Sequence, residues 1–285
     1  MYPYNLIEGV QFNLYDLFLC VGIILCLISF DRLAERYPLR YKLQKMVFAI
    51  AAAAIVLGLG SAVLFQAFYN FGKTGEFIID AGTGATFYGG LIGGAASFIA
   101  IYFIAGYFIF KDNYHKRNFF SMANCAVPSI LIAHSFGRIG CLMAGCCHGS
   151  VTDAWYGIYM HTELYGYAKC VPTQLFEALF LLLLFFIATV RVRKNKSYNL
   201  PLYMITYGAW RFFIEFFRSD DRGQLLTKAL SPSQVIACIM IVGGIVLMIF
   251  ERYYENRYRE EILEDAKILL ERRQKRKEEN NAGEK

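Results

Sequence analysis

The chain has 285 residues, of which 56% are hydrophobic and only 18% are charged. Soluble domains carry about 25% charged residues, so this composition indicates a membrane protein and excludes a disordered, a collagen-like or a small disulfide-rich chain. The formal charge of +6 does not indicate a nucleic-acid partner, because the tail 251–285 holds ten basic and ten acidic residues and no soluble basic domain precedes it.

Apolar runs long enough to cross a bilayer recur along the chain, and charged residues gather between them. We therefore predict an all-α integral membrane protein with seven transmembrane helices. The sixth span is the weakest on hydropathy alone, because it contains Arg211 and Glu215. The predicted spans cover residues 14–30, 46–68, 87–110, 119–137, 173–190, 200–218 and 231–250.

The number of Lys and Arg residues alternates between low and high through the eight segments that flank these spans. Because basic loops favour the cytoplasmic side, this alternation predicts an outside N-terminus and a cytoplasmic C-terminus. Residues 1–13 lack the basic region of a cleavable signal peptide, so we expect the first span to be retained. We predict a membrane domain at 1–250 and a charged, helical cytoplasmic tail at 251–285. The basic counts are none in 1–13, five in 31–45, one in 69–86, three in 111–118, one in 139–172, four in 191–199, two in 219–230 and ten after 250.

Ionisable side chains in the sixth span are spaced as one stripe of a helix. Tyr207, Arg211, Glu215 and Arg218 follow one another at intervals of four, four and three. Arg211 and Glu215 can pair at i,i+4. A structural ion pair would explain one such contact, but two arginines against one glutamate leave positive charge that favours an anionic ligand.

A second candidate region surrounds Arg138 at the outer end of the fourth span. Gly137 and Gly140 flank this arginine and allow close approach of a ligand to the backbone. A guanidinium offers a fork of donors that matches phosphate oxygens. Because the loop charges place Arg138 and Arg218 at the same membrane face, the two arginines predict a phospholipid headgroup site. The alternative is interfacial snorkelling of both side chains.

Two further stretches accompany these arginines. Tyr88, Gly89 and Gly90 open the third span, where the glycines have tight helix packing as an equally plain explanation. Gln174 and Glu177 begin the fifth span after Pro172 and lie on one face at i,i+3. A carboxylate within a span requires a partner, and we expect Arg138 or Arg211 to provide it.

Taken together, these four stretches resemble the prolipoprotein diacylglyceryl transferase family over about residues 10–250. The matching elements occur in the family's order: Tyr88-Gly89-Gly90-Leu91, Gly137-Arg138-Ile139-Gly140, Pro172-Thr173-Gln174-Leu175-x-Glu177, and Tyr207-Gly208-x-x-Arg211-Phe212-x-x-Glu215-Phe216-x-Arg218. Each motif is weak alone, whereas four in order are specific.

The resemblance implies seven helices in the bacterial cytoplasmic membrane and a transferase without cofactor or metal. Its substrates would be phosphatidylglycerol, a membrane lipid, and the lipobox cysteine of a prolipoprotein, with a thioether formed and glycerol phosphate released. No nucleic-acid partner is expected. The resemblance implies catalytic roles for Arg138, Arg211, Tyr88 and Glu215, and substrate-binding roles for Arg218, Tyr207, Gly89, Gly90, Gly137, Gly140, Gln174 and Glu177.

The chain departs from the family pattern at two positions. Tyr88 stands where the family has histidine, and Cys141 stands where it has asparagine. A tyrosine with a pKa near 10 is a poor base at neutral pH, so Glu215, Glu177, His148 or the nearby arginines would have to help form the thiolate. The alternative function is a paralogue on the same scaffold that binds an anionic phospholipid or modifies another acceptor.

Eight cysteines fall into two groups. Four lie in the predicted spans and four follow Arg138 on the outer side. The Cys-x4-Cys-Cys-His run lacks the paired spacing of a structural zinc site, so we predict no metal but packing or a disulfide, with thiol chemistry on the substrate as the alternative. A redox protein ranks last because no Cys-x-x-Cys occurs, and a transporter lacks support because no inverted repeat is evident. The groups are Cys20, Cys26, Cys125 and Cys238, and Cys141, Cys146, Cys147 and Cys170.

Overall fold

The computed structural model describes residues 5–7, 10–36, 38–79, 83, 86–162, 165–218 and 230–283. Within these residues the chain is mostly helical, with two short antiparallel hairpins. The helices are α1 (Leu14–Arg36), α2 (Tyr41–Thr74), α3 (Phe87–Ile109), α4 (Tyr114–Arg117), α5 (Phe119–Ala144), α6 (Thr173–Arg193), α7 (Asn199–Ile214) and α8 (Pro232–Gly283). The strands are β1 (Asn5–Ile7), β2 (Val10–Asn13), β3 (Ile158–Thr162) and β4 (Gly166–Cys170).

Six helices in the described part of the chain are long and apolar enough to cross a membrane, which confirms an all-α multi-pass membrane protein. They are α1, α2, α3, α5, α6 and α8, and each overlaps a predicted span. The predicted sixth span corresponds to α7, which has 16 residues and continues as a 3₁₀ turn at Glu215–Phe217. Seven spans and the orientation of the termini stay predictions.

The chain divides into two units, of which the first comprises Met1–Tyr37 and Phe120–Glu260. The core of this unit is formed where apolar faces of α5, α6 and α7 pack together, with Leu131, Leu181 and Tyr207 buried. The β3–β4 hairpin packs on the end of α5, where Met160 and Cys170 lie against Leu142. This packing fixes the positions of α5, α6 and α7, which carry the polar residues of the candidate site.

A buried carboxylate holds three elements of the first unit together. Glu251 of α8 accepts hydrogen bonds from the Asn124 side chain at 2.6 Å and from the backbone N–H of Tyr198 at 3.0 Å. The other end of the Asn124 amide accepts the N–H of Leu200 at 3.1 Å. These bonds satisfy polar groups at the start of α7, and they connect α5, α7 and α8.

The second unit comprises Pro38–Phe119 and Glu261–Lys285. Its helices α2 and α3 approach closely because small residues face one another. A Cβ on Gly89 would lie 2.6 Å from Phe65, and a Cβ on Gly90 would lie 3.3 Å from Ala62. The Ser61 hydroxyl donates a hydrogen bond to the Gly89 carbonyl at 2.9 Å. Both glycines therefore have the packing role that sequence left open, and their predicted contact with substrate stays a prediction.

The second unit also carries a cluster of arginines and carboxylates. Asp265 accepts hydrogen bonds from Arg40 at 2.9 Å, from Arg117 at 3.1 Å and from Asn118 at 3.3 Å. Arg40 also pairs with Asp112 and stacks on the Tyr114 ring, with 3.9 Å from its guanidinium carbon to the ring centre. Every charged group named here has a protein partner, so the cluster has a structural role and joins the start of α2 and the end of α4 to α8.

Candidate active site

The core of the candidate site is an ion pair inside the first unit. Arg138 of α5 contacts Glu177 of α6, with 3.1 Å between Nε and Oε1. The Tyr207 hydroxyl of α7 donates to the same Glu177 oxygen at 2.6 Å and lies 3.5 Å from Arg138 Nη2. The structure thus confirms Arg138 as a partner of Glu177 and places the predicted Tyr207 beside both. Three helices hold one largely buried guanidinium in a fixed orientation.

Two aromatic neighbours of this pair were not among the predicted site residues. His134 lies one turn before Arg138, and its Nδ1 shares a 3.1 Å hydrogen bond with the Tyr203 hydroxyl. The His134 ring packs edge-on against Tyr207, with 4.8 Å between ring centres. The sequence did contain a signal for both residues. His134 precedes Arg138 by four residues and Tyr203 precedes Tyr207 by four, which places each pair on one helix face.

The predicted stripe of the sixth span forms a second ion-pair group. Arg211 Nη2 lies 2.9 Å from Glu215 Oε2 in the predicted i,i+4 contact. Arg218 Nε lies 3.9 Å from the same Glu215 oxygen. Arg211 also interacts electrostatically with Glu177, so the two ion-pair groups belong to one cluster, the arginine–glutamate cluster of Arg138, Glu177, Arg211, Glu215 and Arg218.

Two serines before and in the first turn of α8 complete this cluster, and sequence reasoning missed both. Ser233 accepts a hydrogen bond from Arg211 at 3.0 Å, and Ser231 donates to Glu215 at 2.8 Å. Ser231 and Gln234 also bond to each other's backbone N–H groups, at 3.0 and 3.2 Å. This Ser-x-x-Gln capping box is a signal that was present in the sequence.

The last turn of the stripe is anchored to the loop after α5. Arg218 forms a backbone bridge with Gly149, and the N–H of Ser150 donates to the Phe217 carbonyl at 3.1 Å. A Cβ on Gly149 would lie 2.4 Å from that carbonyl oxygen, so only glycine fits here. The anchor places the Arg218 backbone next to the cysteine-rich loop.

Among the residues that the structure describes, the arginine–glutamate cluster holds three guanidinium groups and two carboxylates. Its side chains are at most 14% exposed. Within the described residues, no hydrogen-bond partner reaches Arg211 Nη1 or Glu177 Oε2. Because a buried guanidinium donor without a partner is expensive, the arrangement suits an anionic group with several acceptor oxygens.

The glycines around Arg138 have different surroundings. A Cβ on Gly137 would meet open space, which is compatible with close approach of a ligand. A Cβ on Gly140 would lie 3.1 Å from the Tyr15 ring and 3.2 Å from its carbonyl, so Gly140 serves the packing of α1 on α5. Tyr88 lies in α3, and its side chain is outside the described part of the structure.

Gln174 fixes the cysteine-rich loop. It is almost fully buried, and its side-chain N–H donates to the Cys146 carbonyl at 2.5 Å, while the Thr173 hydroxyl donates to the Cys147 carbonyl at 2.8 Å. Gly145 has a φ of 74° and Cys147 a φ of 62°, so the backbone turns back sharply after α5. As a result the sulfur atoms of Cys141, Cys146 and Cys147 all lie within 4.8 Å of one another.

All eight cysteines, each within the described residues, are free thiols, so the disulfide considered for the outer group is absent from this structure. Cys125 and Cys170 are buried, whereas Cys20 and Cys238 are exposed on their helices. Hydrogen bonds with Cys141 and Cys146, with a contribution from Arg218, lower the pKa of the Cys147 thiol.

Comparisons with known proteins agree with this arrangement. A family model described as prolipoprotein diacylglyceryl transferase matches residues 4–250. The chain is 38% identical over 172 residues to phosphatidylglycerol–prolipoprotein diacylglyceryl transferase 2 of Clostridium perfringens. The matched stretch covers 59% of this chain and 62% of that relative. It is 31% identical to the transferase of Clostridium tetani, over 86% of this chain and 95% of the relative. It is 29% identical to the transferase of Clostridioides difficile, over 85% of this chain and 92% of the relative.

Proposed function

Since this chain belongs to the prolipoprotein diacylglyceryl transferase family, we propose that it transfers the diacylglyceryl group of phosphatidylglycerol to the lipobox cysteine of a prolipoprotein. The lipobox thiol displaces glycerol phosphate, and a thioether forms. The arginine–glutamate cluster is the observation that supports this site, because it holds Arg138 and Arg211 in place while the buried Arg211 Nη1 has no hydrogen-bond partner among the described residues.

Arg138 and Arg211 hold the phosphate of the lipid in this proposal. Glu177 and Tyr207 orient Arg138, while Glu215 and Ser233 orient Arg211. Charge develops on the phosphate oxygen as the carbon–oxygen bond breaks. Guanidinium groups that are already in place stabilise this charge without reorganisation in a site that excludes water. Arg218 adds positive charge at the end of the same stripe.

The thiol of the acceptor must lose its proton before it can attack, since a free cysteine has a pKa of about 8.5. The thiolate sulfur then attacks the glyceryl carbon, and the electron pair of the broken bond leaves with glycerol phosphate. Both carboxylates of the arginine–glutamate cluster are already engaged in ion pairs with guanidinium groups. Deprotonation of the thiol consequently requires a further group.

Seven spans in the bacterial cytoplasmic membrane complete the proposal, with the N-terminus outside and the tail in the cytoplasm. Helix α7 and its 3₁₀ turn together extend about 30 Å, which equals the hydrocarbon thickness of a bilayer. The alternation of basic residues between loops supports the orientation. The site would then open toward the outer face, where secreted precursors arrive.

Turnover by the purified protein in detergent tests this function. Phosphatidylglycerol and a lipobox peptide are supplied, and the thioether is detected by mass together with free glycerol phosphate. The native chain should form both products. Arg211→Ala and Arg211→Lys should each lower kcat by about 10²–10³-fold, because lysine retains the charge but loses the fork of donors.

Tyr88→His separates the assigned activity from its alternative. Product with the native chain establishes the transferase. Product only with Tyr88→His means that the native chain is a paralogue that retains the lipid site, and it contradicts the proposal. Absence of product from every variant also contradicts the proposed substrates. An Arg193→Ala variant, which removes an arginine from the other end of α6, is the matched control and should retain full activity.

A further inference from the structure

Three thiols meet at one point beside the arginine–glutamate cluster. The sulfur atoms of Cys141, Cys146 and Cys147 are mutually within 4.8 Å, and the three residues are half-buried or exposed. The loop that brings them together is held by hydrogen bonds from Gln174 and Thr173 to the backbone carbonyls of Cys146 and Cys147.

The distances suit a metal ion better than a disulfide. Three sulfurs around a tetrahedral zinc ion at about 2.3 Å lie roughly 3.8 Å apart, so these thiols need to approach by at most about 1 Å. A disulfide requires about 2.05 Å between two sulfurs and would leave the third thiol unpaired. Soft thiolate ligands in this number select a thiophilic ion such as Zn²⁺.

The charges around the thiols also favour a bound metal thiolate. Arg138 interacts electrostatically with Cys141 and Cys147, and Arg218 interacts with Cys147. A zinc ion with three thiolates carries one net negative charge, which these guanidinium groups offset. Among the described residues, no histidine or carboxylate joins the three sulfurs as a fourth ligand.

We propose that Cys141, Cys146 and Cys147 bind a Zn²⁺ ion whose fourth position accepts the thiol of the lipobox cysteine. This inference rests on the proposed function, and it provides the group that deprotonates the acceptor. A catalytic zinc site has three protein ligands and one open position, and a thiol that coordinates the metal is deprotonated outright.

The step balances without an oxidant or reductant. The acceptor thiol releases its proton to water as its sulfur binds zinc. This sulfur donates an electron pair to the glyceryl carbon, and the carbon–sulfur bond forms. The carbon–oxygen bond breaks, its electron pair leaves with glycerol phosphate, and the neutral thioether dissociates from the metal.

The first experiment measures metal in the full chain, purified in detergent without chelator. Elemental analysis should find about one zinc ion per chain in the native protein and in Cys20→Ser, which removes an exposed thiol elsewhere. A variant with serine at 141, 146 and 147 should contain none. Zinc absent from the native chain, or retained in the triple variant, overturns the proposal. An intact mass two hydrogens lower, mapped to a bond among these cysteines, also overturns it.

The second experiment reads the coordination with Cd²⁺ as a probe. Cadmium should give the ultraviolet charge-transfer band of three thiolates, and Cys146→Ser should lose about one third of it. Addition of a lipobox peptide should increase the band by a fourth thiolate, whereas a peptide with serine in place of the cysteine should not. If neither peptide changes the band, the proposal of an open coordination position is contradicted.

Turnover distinguishes failure of the zinc role from failure of the function. Removal of zinc by a chelator should abolish release of glycerol phosphate, and added Zn²⁺ should restore it. Wild-type turnover by the triple variant would refute the zinc role and leave the transferase intact. Zinc bound by the native chain without any turnover would refute the substrates instead.

Discussion

Two clusters of arginines and carboxylates occur among the described residues, and they differ in the exposure of their ion pairs and in the ratio of arginines to carboxylates. In the second unit Asp265 receives three donors, and Arg40 has both Asp112 and Asp265. In the arginine–glutamate cluster of the first unit, three guanidinium groups share two carboxylates. Exposure differs as well, since the Arg40 and Asp112 side chains are 35% and 46% exposed.

This difference distinguishes a structural cluster from a candidate binding site. The exposed Arg40–Asp112 pair has little energetic consequence, because water competes for the same groups. A buried guanidinium donor without a partner, such as Arg211 Nη1 among the described residues, is costly unless a ligand completes it. This buried donor is the reason for proposing the first cluster, and not the second, as the substrate site.

The largest expected effect is on stability at Glu177. Glu177→Gln leaves the guanidinium of Arg138 buried without a counter-charge, which should destabilise the fold by about 3–5 kcal/mol. Thermal unfolding in detergent measures this change. Asp112→Asn is the matched amide substitution in the second unit and should change stability by at most about 1 kcal/mol, since solvent screens its ion pair. Equal losses from both variants would erase the distinction between the clusters.

Arginine substitutions should separate the two clusters by activity. Arg138→Ala should lower kcat by about 10²–10³-fold, because a group that stabilises the leaving phosphate is lost. Arg40→Ala removes the same charge from the cluster of the second unit and should leave kcat within about twofold. Release of glycerol phosphate is measured for both, below the unfolding temperature of each variant. A large loss of kcat in Arg40→Ala would contradict the comparison.

The glycines beside Arg138 should respond in opposite ways. Gly140→Ala should destabilise the fold by about 1–3 kcal/mol, because its new methyl group would press on Tyr15. Gly137→Ala meets open space and should leave the unfolding temperature unchanged or slightly raised. A bulkier Gly137→Leu should then lower kcat/KM by obstructing the lipid while the fold stays intact. Unchanged turnover in Gly137→Leu would show that substrate does not use this space.

The smallest effect concerns the pH dependence of the cluster of the second unit. Burial raises the pKa of the Asp112 carboxyl, but hydrogen bonds from Arg40 and from the Tyr114 N–H outweigh burial and lower the pKa below its usual range. Its stabilisation is therefore present above a carboxyl pKa of about 3.9 and is lost as the pH falls through the lowered value. Unfolding temperatures of the native chain and Asp112→Asn should differ near neutral pH and converge in acid. A difference that persists in acid would exclude the carboxylate as its source.

The sequence by itself determined the features that depend on local periodicity. Runs of apolar residues specified six of the helices, since a bilayer forces backbone hydrogen bonds to close within each segment. The interval of four residues placed Arg211 next to Glu215, because side chains at i,i+4 share one helix face. The ordered motifs also identified the family before any contact was known.

Tertiary structure alone decided which faces of different helices meet. Hydropathy cannot choose between Arg138 and Arg211 as the partner of Glu177, and packing of α5 on α6 selected Arg138. The sulfurs of Cys141, Cys146 and Cys147 converge only because the chain reverses through positive φ angles at Gly145 and Cys147. Periodicity is a property of one helix, whereas a binding site is a property of several, and the relation between them is fixed by packing of side chains far apart in sequence.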